Sequence, residues 1–290
     1  MVSRLDVQRV LGGIWFLDGL LQLKPDMFTP AFTSQLILPM AQGQPLWLAG
    51  LVTWGARLIA PHPALYDSGF ALIQLLLGAL LLLDVGPRWS LAGSVAWAVF
   101  VWIFGEALGQ VLGGGQLLVS GAPGPGVLYA LVSVAIWPVA EDRAAWSAVA
   151  ARFAQVALGG TWLLGCLLLF LAAPGGLAHG LAVRWAARAL APVAPTATVL
   201  LLVTQGFLGL MLVFGRQVTW AARCSILLAL LIWWLGEDFG QIWSALGTDV
   251  NSGPLLVLLA LSAAPGAVGR WVVARLRLPW VHRRLDDHYA

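Results

Sequence analysis

Eight stretches of this chain run almost without interruption in apolar residues: about 8–24, 64–84, 90–112, 125–140, 148–173, 195–214, 218–246 and 252–272. Each approaches the roughly 20 residues that cross a bilayer as an α-helix. None alternates apolar and polar residues as a barrel strand does. Only 10% of residues are charged, 60% are apolar and mean hydropathy is +0.87, whereas a soluble domain carries about 25% charged residues. The sequence predicts an all-α integral membrane protein with eight transmembrane helices. A shorter run, "LWLAGLVTWGARLIA" at 46–60, lies inside a long segment, 25–63, and predicts an interfacial or re-entrant helix.

The placement of arginine predicts the orientation. With both termini cytoplasmic, the inner side receives Arg4, Arg9, Arg88, Arg143, Arg152, Arg216, Arg223, Arg270, Arg275, Arg277, Arg283 and Arg284, and the outer side keeps Lys24, Arg57, Arg184 and Arg188. Twelve inner cations against four follow the positive-inside bias. The net charge of +3 is then a topology signal, and no nucleic-acid partner is expected. The lipid bilayer is the expected medium, in a bacterial-type cytoplasmic membrane. The basic tail 273–290 is expected on the cytoplasmic side.

The chain also repeats itself. "QRVLGGIWFL" at 8–17 aligns with "QVALGGTWLL" at 155–164, an offset of 155 − 8 = 147. Further on, Gln74 pairs with Gln205, Gly78 with Gly209, Trp89 with Trp220 and Glu106 with Glu237, each at 205 − 74 = 131. Gly124–Pro125 then matches Gly253–Pro254 at 129. These offsets predict two four-helix repeats of parallel topology, 1–140 and 147–272, like the parallel halves of some transporters.

Within the third stretch of each repeat stands a glutamate, in "WIFGEALGQ" (102–110) and "WWLGEDFGQ" (233–241). On a continuous helix Glu106 and Gln110 share a face, as do Glu237 and Gln241, and Trp102 and Trp233 extend those stripes. Gly105/Gly109 and Gly236/Gly240 form G-x-x-x-G patterns that would let the two stretches meet closely. A carboxylate in hydrocarbon costs about 2.5–3.5 kcal/mol on insertion scales, so both glutamates need a partner or a purpose. Three readings stand open: hydrogen-bonding glue that caps loop amides or indole N–H groups, a proton-active role, or passage of a ligand or ion. The candidate catalytic groups are therefore Glu106 and Glu237. The candidate ligand-binding residues are Gln110, Gln241, Gln74, Gln205, Asp18, Trp102 and Trp233. Asp18 stands where the second repeat has Gly165, and is expected to pair with Lys24 or Arg57.

Other chemistry is not signalled. The sequence has no P-loop, dinucleotide fingerprint, H-E-x-x-H or C-x-x-C. Cys166 and Cys224 fall at different depths and read as structural thiols. His62, between two prolines, reads as a loop residue without a second metal ligand. "GTDVNSG" (247–253) lacks the closing glutamate of a calcium loop and reads as a turn.

The segment "LDGLLQLKP" (17–25), followed by "IQLLLGALLLLDVGPRW" (73–89) and its counterpart "TQGFLGLMLVFGRQVTW" (204–220), resembles the DoxX/DoxD family of small four-helix membrane proteins. Lys24 falls on the family's lysine position, while the second repeat's "CLLLFLAAP" carries none. The resemblance implies a membrane subunit of a redox or respiratory-type complex, with quinone as its ligand, no covalently held cofactor, and extracytoplasmic protein partners. A carrier or pore for a small polar solute or protons, and a purely structural assembly subunit, are the alternatives.

Overall fold

The computed structural model describes residues 2–114, 116–138, 145–172, 177 and 180–266. Among these, every regular element is helical. The basic tail and residues 139–144 lie outside the described residues. The α-helices are α1 (Arg4–Leu21), α2 (Leu46–Ile59), α3 (Pro63–Leu82), α4 (Pro87–Phe104), α5 (Pro125–Ala135), α6 (Ala148–Leu171), α7 (Arg184–Leu190), α8 (Ala194–Val213), α9 (Val218–Leu231) and α10 (Ser252–Ala263).

Four stretches are long and apolar enough to cross a membrane: Pro63–Leu82, Ala148–Leu171, Arg184–Val213 and Val218–Gly236. Helices occupy all eight of the predicted stretches, but α5 and α10 have only 11 and 12 residues. At 1.5 Å per residue they reach about 17–18 Å, short of a hydrocarbon core of about 30 Å. The eight full-length spans expected from hydropathy are corrected accordingly. The physical reason is local. Pro125 occupies the first turn of α5, where its missing N–H costs nothing. Apolar residues just before α5, such as Leu117, Leu118 and Val119, are buried inside the protein without continuing the helix.

Packing is close where glycine allows it. α1 lies along α3 and α6 along α8. A Cβ on Gly12 would sit 2.9 Å from the Gly78 carbonyl oxygen, and one on Gly159 would sit 2.9 Å from that of Gly209. These crossings fall at the 147 and 131 offsets of the sequence, 159 − 12 and 209 − 78. Trp15 Nε1 donates to Ser94 Oγ at 2.8 Å, and Trp162 Nε1 donates to Ser225 Oγ at 2.8 Å, again at those offsets. α10 packs against α9, α6 and α5, and so ties the later helices to the earlier ones.

α2 is the expected short helix. Leu48, Val52, Ala56 and Ile59 form its buried face, over Met27, Phe32 and Ile37, while Leu46 and Trp47 point outward. This satellite core covers one side of the site described next.

Candidate functional site: two carboxyl-capped turns around one cavity

The chain after α4 and the chain after α9 end their helices in the same unusual way. The amide of Glu106 bonds the Val101 carbonyl and that of Glu237 the Ile232 carbonyl, both at 3.0 Å. These are wide, five-residue closures of the kind found at functional sites. Four residues with positive φ follow each glutamate: Ala107, Leu108, Gly109 and Gln110 at +48°, +57°, +63° and +56°, and Asp238, Phe239, Gly240 and Gln241 at +48°, +55°, +73° and +51°. The expected continuous helix is thus corrected. Glu106 and Gln110, like Glu237 and Gln241, lie in a left-handed turn and not on one helical face. Each non-glycine residue there costs about 1–2 kcal/mol, so something must hold the turn.

The glutamates do. Glu106 accepts from the amide of Gly126, the second residue of α5, at 3.0 Å. Glu237 accepts from the amide of Gly253, the second residue of α10, at 3.1 Å, and from the Ser252 hydroxyl. Each carboxyl sits at a helix N-terminus, where amides are otherwise unpaired and the dipole favours negative charge. Trp102 and Trp233 do not reach the cavity. They donate their indole N–H groups to the carbonyls of Pro123 (2.7 Å) and Val250 (2.8 Å), tying the preceding loops. These contacts align the fourth helices at 250 − 123 = 127 and 253 − 126 = 127, which corrects the Gly–Pro match at 129.

The glycines act against loops. A Cβ on Gly109 would lie 1.8 Å from the Pro123 carbonyl oxygen, one on Gly236 1.9 Å from that of Val119, and one on Gly240 2.7 Å from that of Asp249. A direct meeting of the two G-x-x-x-G stripes is therefore corrected. Gly109, Gly236 and Gly240 each admit a backbone from elsewhere in the chain, Gly236 that of the segment Leu118–Ser120, whereas Gly105 meets only Val101 of its own helix.

Asp18 is buried, and the Tyr129 hydroxyl hydrogen-bonds its Oδ2. Trp15 stacks on Tyr129 at 4.0 Å between ring centroids. The expected pairing of Asp18 with Lys24 or Arg57 is corrected, because Asp18 bonds Tyr129 and Lys24 reaches across to the loop that precedes α10. Its Nζ donates to the carbonyls of Ile242, Ser244 and Gly247 at 2.8, 2.7 and 2.8 Å. That clamp fixes the loop carrying Asp249, whose carboxyl accepts from Thr248 Oγ1 (2.8 Å) and from the Asn251 amide (2.7 Å). Burial pushes the Asp249 carboxyl above the ordinary aspartate range.

These groups enclose a cavity of about 1020 Å³. Asp18, Gln74, Glu106, Gln110, Glu237 and Gln241, all singled out in the sequence, line it; Gln205, Trp102 and Trp233 do not. Gln205 is buried on α8, its Oε1 3.0 Å from where a Gly165 Cβ would stand. Sequence reasoning missed Asp249, set aside in a turn, and Tyr129, Gln22 and the aromatic wall. Along that wall Phe70, Trp97, Phe100 and Phe104 contact one another in series, at centroid distances of 5.3, 5.2 and 5.0 Å. No group of three or more potential ligands close enough to hold a metal ion occurs among the described residues. Asp67 on α3 is buried, with neither carboxyl oxygen hydrogen-bonded, and stands outside the cavity lining.

Compared with family models, curated proteins and solved structures, the chain matches none.

Proposed function

We propose that this membrane protein is a tandem duplication of a four-helix unit that holds a small amphiphilic molecule between its two copies. The observation that carries this reading is the convergence of Asp18, Glu106, Glu237 and Asp249, from both repeats, on one cavity of about 1020 Å³. That volume suits a drug-sized ligand. Irregular backbone and short helices at membrane depth are tolerated where they line such a cavity, and paired broken segments in two repeats mark the sites of many carriers. With the arginine-rich ends cytoplasmic, the cavity faces the outer half of the membrane, beneath α2. Carriage of the ligand, or its presentation to an extracytoplasmic partner, is the function that follows.

A quinone-proximal role in a DoxX-like redox complex is the second reading. It is favoured by Trp97 Nε1, a buried donor without a partner beside the cavity's aromatic wall, which could donate to a quinone carbonyl. Three buried acceptor oxygens of the same lining also lack partners, on Asp18, Gln22 and Gln74, and they favour a ligand richer in donors. Native mass spectrometry of the protein taken from its own membranes in mild detergent tests both readings. One small molecule per chain, lost in Glu237→Gln, is expected, and its mass separates a quinone from a donor-bearing ligand. An empty chain, or a molecule retained equally by the variant, would count against the site.

A further inference from the structure

Resting on that reading of the cavity, we infer that its ligand is an organic cation with an aromatic or broad apolar body, an amine or quaternary ammonium compound. Four carboxyls line the cavity, and no lysine, arginine or histidine does among the described residues. Lys24, the nearest cation by sequence to Asp18, spends its three donors on the carbonyls of 242–247. A carboxylate in low dielectric is tolerated when an opposite charge pairs with it, and the cavity wall supplies none.

A second and independent feature points the same way. Asp18 Oδ1, Gln22 Oε1 and Gln74 Oε1 are buried, have no hydrogen-bond partner and belong to residues lining the cavity. Asp18, in the last turn of α1, and Gln22, which caps that helix, are 1% and 6% exposed, and Gln74 is 5% exposed on α3. Unpaired buried acceptors are expensive, and a ligand carrying N–H donors or a diffuse positive charge is what they accept.

An aromatic wall of the same cavity completes the recognition. Phe70, Trp97, Phe100 and Phe104 form a continuous aromatic surface, and the negative faces of such rings attract a cation. No three of the potential ligands among the described residues stand close enough to hold a metal ion, and the aromatic wall suits an organic body.

Two ions of nearly equal shape and opposite charge, tetraphenylphosphonium and tetraphenylborate, test the inference on the full chain in lipid nanodiscs, with empty nanodiscs as the partition control. The titratable groups facing the site are Asp18, Glu106, Glu237, Asp249 and the hydroxyls of Tyr66 and Tyr129. Saturable binding of the phosphonium, one per chain, is expected in mildly alkaline buffer, with weaker binding in mildly acidic buffer as the carboxyls gain protons. Asp18→Asn, which keeps an acceptor for Tyr129, should weaken it at least about tenfold. The charge comparison uses the unaltered protein, so it stands even where a variant folds poorly. Equal binding of both ions, or preference for the borate, would overturn the cation assignment and leave an occupied cavity intact. Failure of both ions to saturate would overturn it too, while the co-purification measurement, which uses neither ion, would still judge the cavity itself.

Discussion

Glu106 and Glu237 do the same structural work 131 residues apart: each carboxyl receives the amide of the second residue of a short helix, Gly126 at 3.0 Å and Gly253 at 3.1 Å. Capping of this kind separates hydrogen bonding from charge. Glutamine keeps an acceptor, so Glu237→Gln should unfold within about 1 kcal/mol of the unaltered protein, while Glu237→Ala should lose about 2 kcal/mol or more. Urea or thermal unfolding in one detergent, followed by tryptophan fluorescence, measures both. Equal losses would mean that the amide contact contributes little.

Glycine substitutions should divide sharply. Gly109 combines φ +63° with a carbonyl 1.8 Å from any added Cβ, so Gly109→Ala should abolish stable folding, and Gly240→Ala (φ +73°) should do nearly as much damage. Gly13 and Gly160 have nothing within 4 Å, and alanine there should be neutral or slightly stabilising. Yield of monodisperse protein by size-exclusion chromatography reads the difference.

Much of this was legible beforehand, for definite reasons. Gln8/Gln155 and Glu106/Glu237 are identical residues at fixed offsets, and hydropathy located a helix in each expected stretch. The left-handed turns were not legible, because Ala107, Leu108 and Phe239 have no preference for positive φ and only tertiary contacts hold them there. The same turns moved Gln110 and Gln241 off the helical face that spacing implied, yet into the cavity. The shortness of α5 and α10 was hidden because the chain stays apolar past their ends at Ala135 and Ala263, through Ile136 and Trp137 and through Ala264. Lys24 bonds residues more than two hundred positions away, beyond the reach of any local pattern.

The Lys24 clamp should matter to the outer loop. Lys24→Met keeps the apolar stem and removes three donors. A loss of about 2 kcal/mol is expected, given that a bond to a charged group contributes about 1.5–3 kcal/mol and this side chain is only partly buried. Limited proteolysis should then cut at 242–247 faster than in the unaltered chain. An unchanged cleavage rate would mean that the loop holds itself.

Asp249 should leave a signature in pH. Its carboxyl is raised by burial, so the folded state holds that proton more tightly than the unfolded one. Its contribution to stability is full below the ordinary aspartate value, about 3.9, and is lost as pH rises through the raised value. Asp249→Asn should therefore flatten the decline of stability from about pH 4 upward. A pH profile parallel to that of the unaltered protein would contradict this.

The proposed cavity, shared by the two glutamate-capped turns and reached from the outer side, is tested most directly by thiol labelling at Gln110 and Gln241. Both residues line the cavity and already adopt positive φ, so Gln110→Cys and Gln241→Cys should be tolerated, in a background with Cys166 and Cys224 replaced by alanine. A membrane-impermeant reagent applied outside should label each single variant, and a short bifunctional reagent should bridge the double variant within one chain. Labelling from the cytoplasmic side only, or full labelling of both positions without any bridge, would contradict a single cavity between the repeats.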